Sequence, residues 1–132
     1  KVIRPATASD ILTIVDQVEA LRAAVGGPVA VDRAWTARTL AALLESPDGA
    51  VWVSGGGFLA ASIQRSVISP VPMAVEHGWW ASDGAGLRPL GAHGGGAKGK
   101  GAALITLSTG PNGPDLSRLG YRRAEQAWTR EL

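Results

Sequence analysis

The stretch Met73-Ala74-Val75-Glu76-His77-Gly78-Trp79-Trp80-Ala81 runs straight into Ser82-Asp83-Gly84-Ala85-Gly86-Leu87, and its reading decides the fold. The first part is an apolar strand that carries one carboxylate, Glu76. The second breaks in glycines and opens a helix. Such a junction is a place to hold phosphate, because free backbone N–H groups and the positive end of the helix dipole converge there. Strand alternation sends Glu76 and His77 to opposite faces, and likewise Trp79 and Trp80, so that one tryptophan packs in the core and the other meets a helix, a partner or a substrate.

Upstream, Val2-Ile3-Arg4 reads as a short strand stopped by Pro5, with Ser9 placed to cap a helix. Ile11, Ile14, Val15, Val18 and Leu21 recur at three and four, which predicts a helix ending near Gly26-Gly27-Pro28. Asp32 is placed to cap a second helix whose apolar face is Trp35, Leu40, Leu43 and Leu44, up to the turn Ser46-Pro47-Asp48-Gly49. Ala50 to Ser54 and Phe58 to Ser66 are strand-like and joined by Gly55-Gly56-Gly57, the composition of a tight antiparallel hairpin.

Downstream, Leu87 to Lys100 stands where a helix should follow, yet Gly91, Gly94, Gly95, Gly96 and Gly99 make it a poor one. The run loses roughly 3 kcal/mol of helix propensity against alanine, so tertiary packing has to hold it. Ala102 to Leu107 reads as a buried strand. After a polar loop and the turn Leu116-Ser117-Arg118-Leu119-Gly120-Tyr121, the alternation over Arg122 to Arg130 predicts a last strand. The order is β-α-α-β-β-β-α-β-(α)-β: a mixed α/β sheet in one domain, residues 1–132, without internal repeat.

The chain has 132 residues, 45% of them apolar and 18% charged, so it can bury roughly two-thirds of its unfolded surface around one core. A net charge of +2 suits an anionic small molecule as well as nucleic acid. Arg118, Arg122, Arg123 and Arg130 make the last quarter basic but are not interleaved with stacking aromatics, which argues against a nucleic-acid site. No cysteine means no disulfide framework and no thiolate nucleophile. His77 and His93 are the only histidines and have no ligand cluster near them, so no metal site is expected. No run is long enough to cross a bilayer and no signal-peptide core opens the chain, so a soluble protein is expected. Gly94 to Lys100 fits the start of a P-loop, but Gly101 stands at the Ser/Thr position and the segment precedes a strand instead of following one.

The opening Ile3-Arg4-Pro5-Ala6-Thr7, the strand Gly57-Phe58-Leu59-Ala60-Ala61-Ser62-Ile63, the segment from Glu76 to Trp80 with the glycines after it, and the closing Leu119-Gly120-Tyr121-Arg122 come in an order that resembles the GNAT superfamily of acyl-CoA-dependent N-acetyltransferases. The Trp79-Trp80 doublet is similar to small GNAT-like proteins of phages and bacteria. The resemblance implies a mainly antiparallel twisted sheet flanked by helices and splayed at the fourth and fifth strands. It also implies acetyl-CoA as co-substrate and a primary amine, of a small molecule or a protein, as acceptor. In the family pattern Arg/Gln-x-x-Gly-x-Gly/Ala, Gly84 and Gly86 match the small positions while Ala81 replaces the Arg/Gln. The cofactor set it implies is Trp80, Ala81, Gly84, Ala85, Gly86, Leu87 and Arg88.

The family's carboxylate base on this strand corresponds to Glu76, which takes a proton from the substrate ammonium. The family's general-acid tyrosine falls on Leu116, which has no proton to give. Tyr121, the only tyrosine, is one candidate acid, and Ser117 is another substitute. A rival reading is a GNAT-like scaffold with impaired chemistry that acts as a binding or structural protein, in a phage particle or beside a partner. A second copy of the chain is an open partner, a membrane is not expected as one, and the expected location is the cytoplasm, or the host cytoplasm or virion if phage-encoded.

Overall fold

A computed structural model describes residues 2–82 and 88–132, the side chains of Arg88 and Pro89 excepted. The strands are β1 (Arg4–Pro5), β2 (Gly49–Ser54), β3 (Gly57–Ser66), β4 (Ser69–Ala81) and β5 (Leu104–Thr106); the helices are α1 (Ile11–Val25), α2 (Arg33–Glu45) and α3 (Arg88–Gly99). One sheet holds all five strands in the order β1-β2-β3-β4-β5. Neighbours are antiparallel except β4 and β5, which run parallel and are linked through α3, as a parallel pair requires a crossover. None of the described helices is long and apolar enough to cross a membrane.

The first strand is shorter than its sequence suggests and includes Pro5, paired with Trp52; on an edge the missing proline N–H breaks no ladder. Ser9 does not cap α1. The chain enters through a 3-10 turn, Ala8–Asp10, where Thr7 and Asp10 form a reciprocal capping box. Arg4 grips the Asp10 carboxylate with two hydrogen bonds of 2.8 and 2.9 Å. Gly26 ends α1 in the left-handed conformation, φ 68°, and Asp32 caps α2 by accepting from the Trp35 N–H at 2.9 Å. Trp35 lies off the apolar face of α2: it is 62% exposed, with the Arg38 guanidinium over its ring.

Two apolar layers cover the sheet. On one side, Ile14 and Val15 of α1 and Leu40 of α2 pack on Val51, Val53, Phe58 and Ala60, joined by Trp80. On the other, Leu90 of α3 meets Leu59 and Ala61, joined by Trp52, Trp79, Leu107 and Leu116. Trp79 and Trp80 therefore do face opposite ways.

The glycine-rich segment is a helix because one of its faces packs on the sheet. Leu90, His93 and Ala97 form a buried stripe at helical spacing, and the glycines at 91, 95 and 99 lie on the solvent side. Gly96 is different: a Cβ there would sit 3.3 Å from Cζ2 of Trp52, so its bareness lets α3 settle on β2.

The expected strand over Arg122 to Arg130 does not form; residues 121–132 follow the 3-10 turn Ser117–Leu119 without regular structure. The run has little to bury. Its one large apolar side chain, Trp128, is 89% exposed, and β5, only three residues long, offers a short edge to pair with. For the same reason β5 is not buried as its composition suggests, and Leu104 is exposed at the edge.

Candidate functional site

Parallel pairing between β4 and β5 covers Met73 with Leu104, Ala74 with Ile105 and Val75 with Thr106, and goes no further among the described residues. From Glu76 onward the strands part. The junction is bridged by side chains: the Glu76 Oε1 accepts from the Ser108 N–H at 3.0 Å and from its hydroxyl at 3.3 Å, and the Trp79 indole N–H donates to the Ser108 carbonyl at 2.9 Å. Both backbone groups of Ser108 are thus satisfied by β4 side chains in place of β4 backbone.

Glu76 and Trp79 are three residues apart and would face opposite ways in a regular strand. A β-bulge at His77 changes that. Ala61 stands opposite Glu76 and Ala60 opposite Gly78, so His77 is the extra residue on β4. Glu76 and Trp79 consequently stand across from Ala61 and Leu59, two residues apart on β3, and share the α3 side of the sheet. His77 turns the other way, with Nε2 2.7 Å from the Ser62 hydroxyl. Of the two residues, Glu76 is the one at the splay.

Burial pushes the Glu76 carboxyl above its ordinary range, opposed by the two Ser108 hydrogen bonds, which favour the charged form. The carboxyl thus holds a proton more readily than a solvated one does, and it is fixed in place by a serine on the neighbouring strand.

Other residues singled out from sequence fall in different places. Ala81 ends β4 opposite Gly57, and Trp80 packs in the α1/α2 layer. Gly84, Ala85, Gly86 and Leu87 lie outside the described residues, as does the side chain of Arg88, which opens α3. Tyr121 follows the left-handed Gly120 and is half-buried, which raises its phenol pKa; the hydrogen bonds of Glu76 go to Ser108 and not to it. Leu116 packs against the α3-side core. Ser108 went unnoticed in the sequence. No motif marks it, and the only pointer is that a carboxylate inside an apolar strand needs donors from a neighbour.

No family model and no curated protein matches the chain. Its backbone does resemble solved structures. An integron cassette protein from the mobile metagenome of Cole Harbour Salt Marsh superposes with a TM-score of 0.76 at 19% identity, over 98% of this chain and 89% of that one. A GNAT family acetyltransferase of Staphylococcus aureus gives 0.67 at 17% identity, over 99% and 98%. An aminoglycoside acetyltransferase from an uncultured soil metagenomic sample, solved in complex with sisomicin, gives 0.66 at 16% identity, over 99% and 93%. With β4 and β5 parallel at one end and parted at the other, and with a backbone that superposes on these structures over nearly all of its length, the chain has the GNAT acetyltransferase fold.

Proposed function

We propose that the protein is an acetyl-CoA-dependent N-acetyltransferase acting on a primary amine. The observation that carries this reading is Glu76: a half-buried carboxylate with a raised pKa, held by Ser108 at the point where β4 leaves β5. The thioester fits at the parting because β4 backbone groups beyond Val75 have no β5 ladder to join, which leaves N–H donors for a carbonyl whose oxygen gains charge in the transition state. Glu76 removes a proton from the substrate ammonium, the free amine attacks the thioester carbonyl, and the C–S bond breaks. The departing thiolate is protonated by Tyr121, whose raised pKa keeps it a donor, or by water. Alignment of amine and thioester supplies much of the acceleration. The pyrophosphate would be held by the backbone around Gly84 to Leu87, the positions the family pattern assigns to it.

A second reading is a scaffold of the same fold with impaired chemistry. It is favoured by the bonds of Glu76 and Trp79 to Ser108, which span the splay, and by Leu116 at the family's general-acid position. Titration calorimetry with acetyl-CoA separates the two, run beside Glu76→Gln. The enzyme reading expects micromolar binding in both proteins, and release of CoA thiol with an acceptor amine that falls about 100-fold or more in Glu76→Gln. Absence of binding at millimolar acetyl-CoA refutes it and leaves the scaffold.

A further inference from the structure

Ser108 stands two residues past the last β4–β5 pair, Val75 with Thr106, and among the described residues neither of its backbone groups finds a backbone partner. A donor fixes an acceptor only when something else fixes the donor. Were Glu76 the sole tether of Ser108, serine and carboxylate would swing together and neither would place the other. On the entry side the chain is held by Leu107, which packs on the α3-side core. On the exit side the bond that holds it runs from the Trp79 indole N–H to the Ser108 carbonyl, at 2.9 Å.

The indole is anchored independently of Glu76. Its ring packs on the buried cluster of Leu59, Ala61 and Leu90, so its rotamer is set by the core and its N–H points one way. Tryptophan suits the position. The β4 backbone no longer pairs across the parting, whereas an indole has a body long enough to be buried on the sheet and a donor at its far edge. Satisfying a buried N–H is the simpler account of such a bond, and Trp52 bears on it. Its Nε1 is buried without a partner in the same layer, so this core tolerates an unmatched indole. The Trp79 N–H goes instead to the one residue that donates twice to Glu76, at 3.0 and 3.3 Å.

The surroundings of Glu76 leave Ser108 as the group that sets it. Ala61 stands across from it on β3, and His77 beside it turns to Ser62 on the other side. From α3 come His93, kept neutral by burial, and Lys100, whose ammonium is engaged by the Pro47 and Gly49 carbonyls. The chain from Leu104 to Pro114 carries no titratable side chain, and Tyr121 is shifted by its own burial alone. None of the causes acting on the Glu76 carboxyl is a neighbouring charge: burial raises its pKa and the Ser108 bonds lower it. We propose that Trp79 is a positioning residue for the base, an assignment that rests on the acetyltransferase reading: its indole N–H pins the Ser108 carbonyl, and the pinned Ser108 keeps its N–H and hydroxyl on the Glu76 carboxylate. By linkage the coupling runs both ways, so a change on one side of Ser108 is felt on the other.

Two NMR readouts on the full chain test this without cofactor. Protonation of Glu76, followed by its side-chain carboxyl ¹³C signal, is expected to move the Trp79 indole N–H signal, assigned through its contacts with Leu59, with the same midpoint, and Glu76→Gln is expected to abolish that movement. Trp79→Phe keeps a ring in the core and removes the donor; in it the Glu76 midpoint should rise by about half a pH unit or more, because loosened Ser108 bonds favour the charged form less. With acetyl-CoA and an acceptor amine, the acid limb of kcat/KM should move up by the same amount in Trp79→Phe while the rate above it returns to within about threefold of the wild type, a signature that lost packing does not produce. If Trp79→Phe does not fold, the joint titration in the wild-type chain and its loss in Glu76→Gln decide alone. An indole signal that ignores Glu76, or a Glu76 midpoint unchanged in folded Trp79→Phe, would overturn the proposal. A joint titration in a protein that binds no acetyl-CoA would sink the acetyltransferase reading and leave the linkage of Trp79 to Glu76 standing.

Discussion

Replacing glycines in α3 should raise or fail to raise stability according to which side of the helix they occupy. Gly91 and Gly95 are solvent-facing, and a Cβ at either would meet nothing within 4 Å. Alanine there is better than glycine by about 0.8–1 kcal/mol per site, chiefly because the unfolded chain loses freedom that the helix never uses. The double variant Gly91→Ala/Gly95→Ala should therefore gain about 1.6–2 kcal/mol, a rise in Tm of about 5–10 °C for a chain of this size. Gly96→Ala has the same propensity gain available but places its Cβ 3.3 Å from Cζ2 of Trp52, so the indole must retreat by a few tenths of an ångström. That offsets the gain, and Gly96→Ala should be neutral or destabilising. The assay is thermal and urea unfolding followed by far-UV circular dichroism. Loss of stability in the double variant would show that residues 88–99 are not a packed helix. A gain in Gly96→Ala equal to that of Gly95→Ala would show that α3 does not rest on Trp52.

Gly57→Ala should be severe, because its Cβ would lie 2.2 Å from the Trp80 carbonyl oxygen, backbone that cannot swing aside; a loss of roughly 2–3 kcal/mol or more in urea unfolding is expected, and a loss within about 0.5 kcal/mol would refute the β3–β4 register. Acid should weaken the protein through Asp10, whose carboxyl the Arg4 guanidinium and then the Thr7 N–H hold well below the ordinary range. A depressed folded pKa gives stability that is present above the unfolded value of about 3.9 and lost as pH falls through the folded one, so Asp10→Asn should flatten unfolding free energy against pH below about pH 4, and an unchanged slope would refute the pairing. Glu76 contributes with the opposite sign and in a higher range: its raised pKa makes the folded state the better proton binder, so its contribution is fully present below the unfolded pKa and is lost as pH rises through the raised folded one.

What was legible in the sequence was local. The three-and-four spacing of Ile11 to Leu21, Asp32 as a cap and the glycines between β2 and β3 each specify their element through neighbours a few residues away. Ser9 and Trp35 misled because a pattern says which residues could cap or be buried, while the competing capping box of Thr7 with Asp10 and the direction in which α2 meets the sheet decide which are. Arg122 to Arg130 misled for a related reason. Alternation marks a strand only when a partner edge and something apolar to cover are both present. The α3 glycines show the converse, since helix propensity was right about the cost and tertiary packing of Leu90, His93 and Ala97 outweighed it.

The site was half legible for a reason that lies in one residue. Glu76 stands out as a carboxylate in an apolar strand, but alternation alone would set Trp79 on the opposite face and leave Ser108 with one anchor. The bulge at His77 adds a residue to β4 without adding one to β3, so Glu76 and Trp79 come to the same face and grip the two backbone groups of a single serine. A bulge also increases local twist and ends regular pairing. At this point of the sheet both effects act together: β5 peels away from β4 just where the extra residue sits, and the carboxylate at the parting is fixed by the strand that leaves. The opening and the placement of the Glu76 carboxylate thus have a common cause, and His77 matters to this junction through the position it takes up in the strand more than through its own side chain, which faces the other way to Ser62.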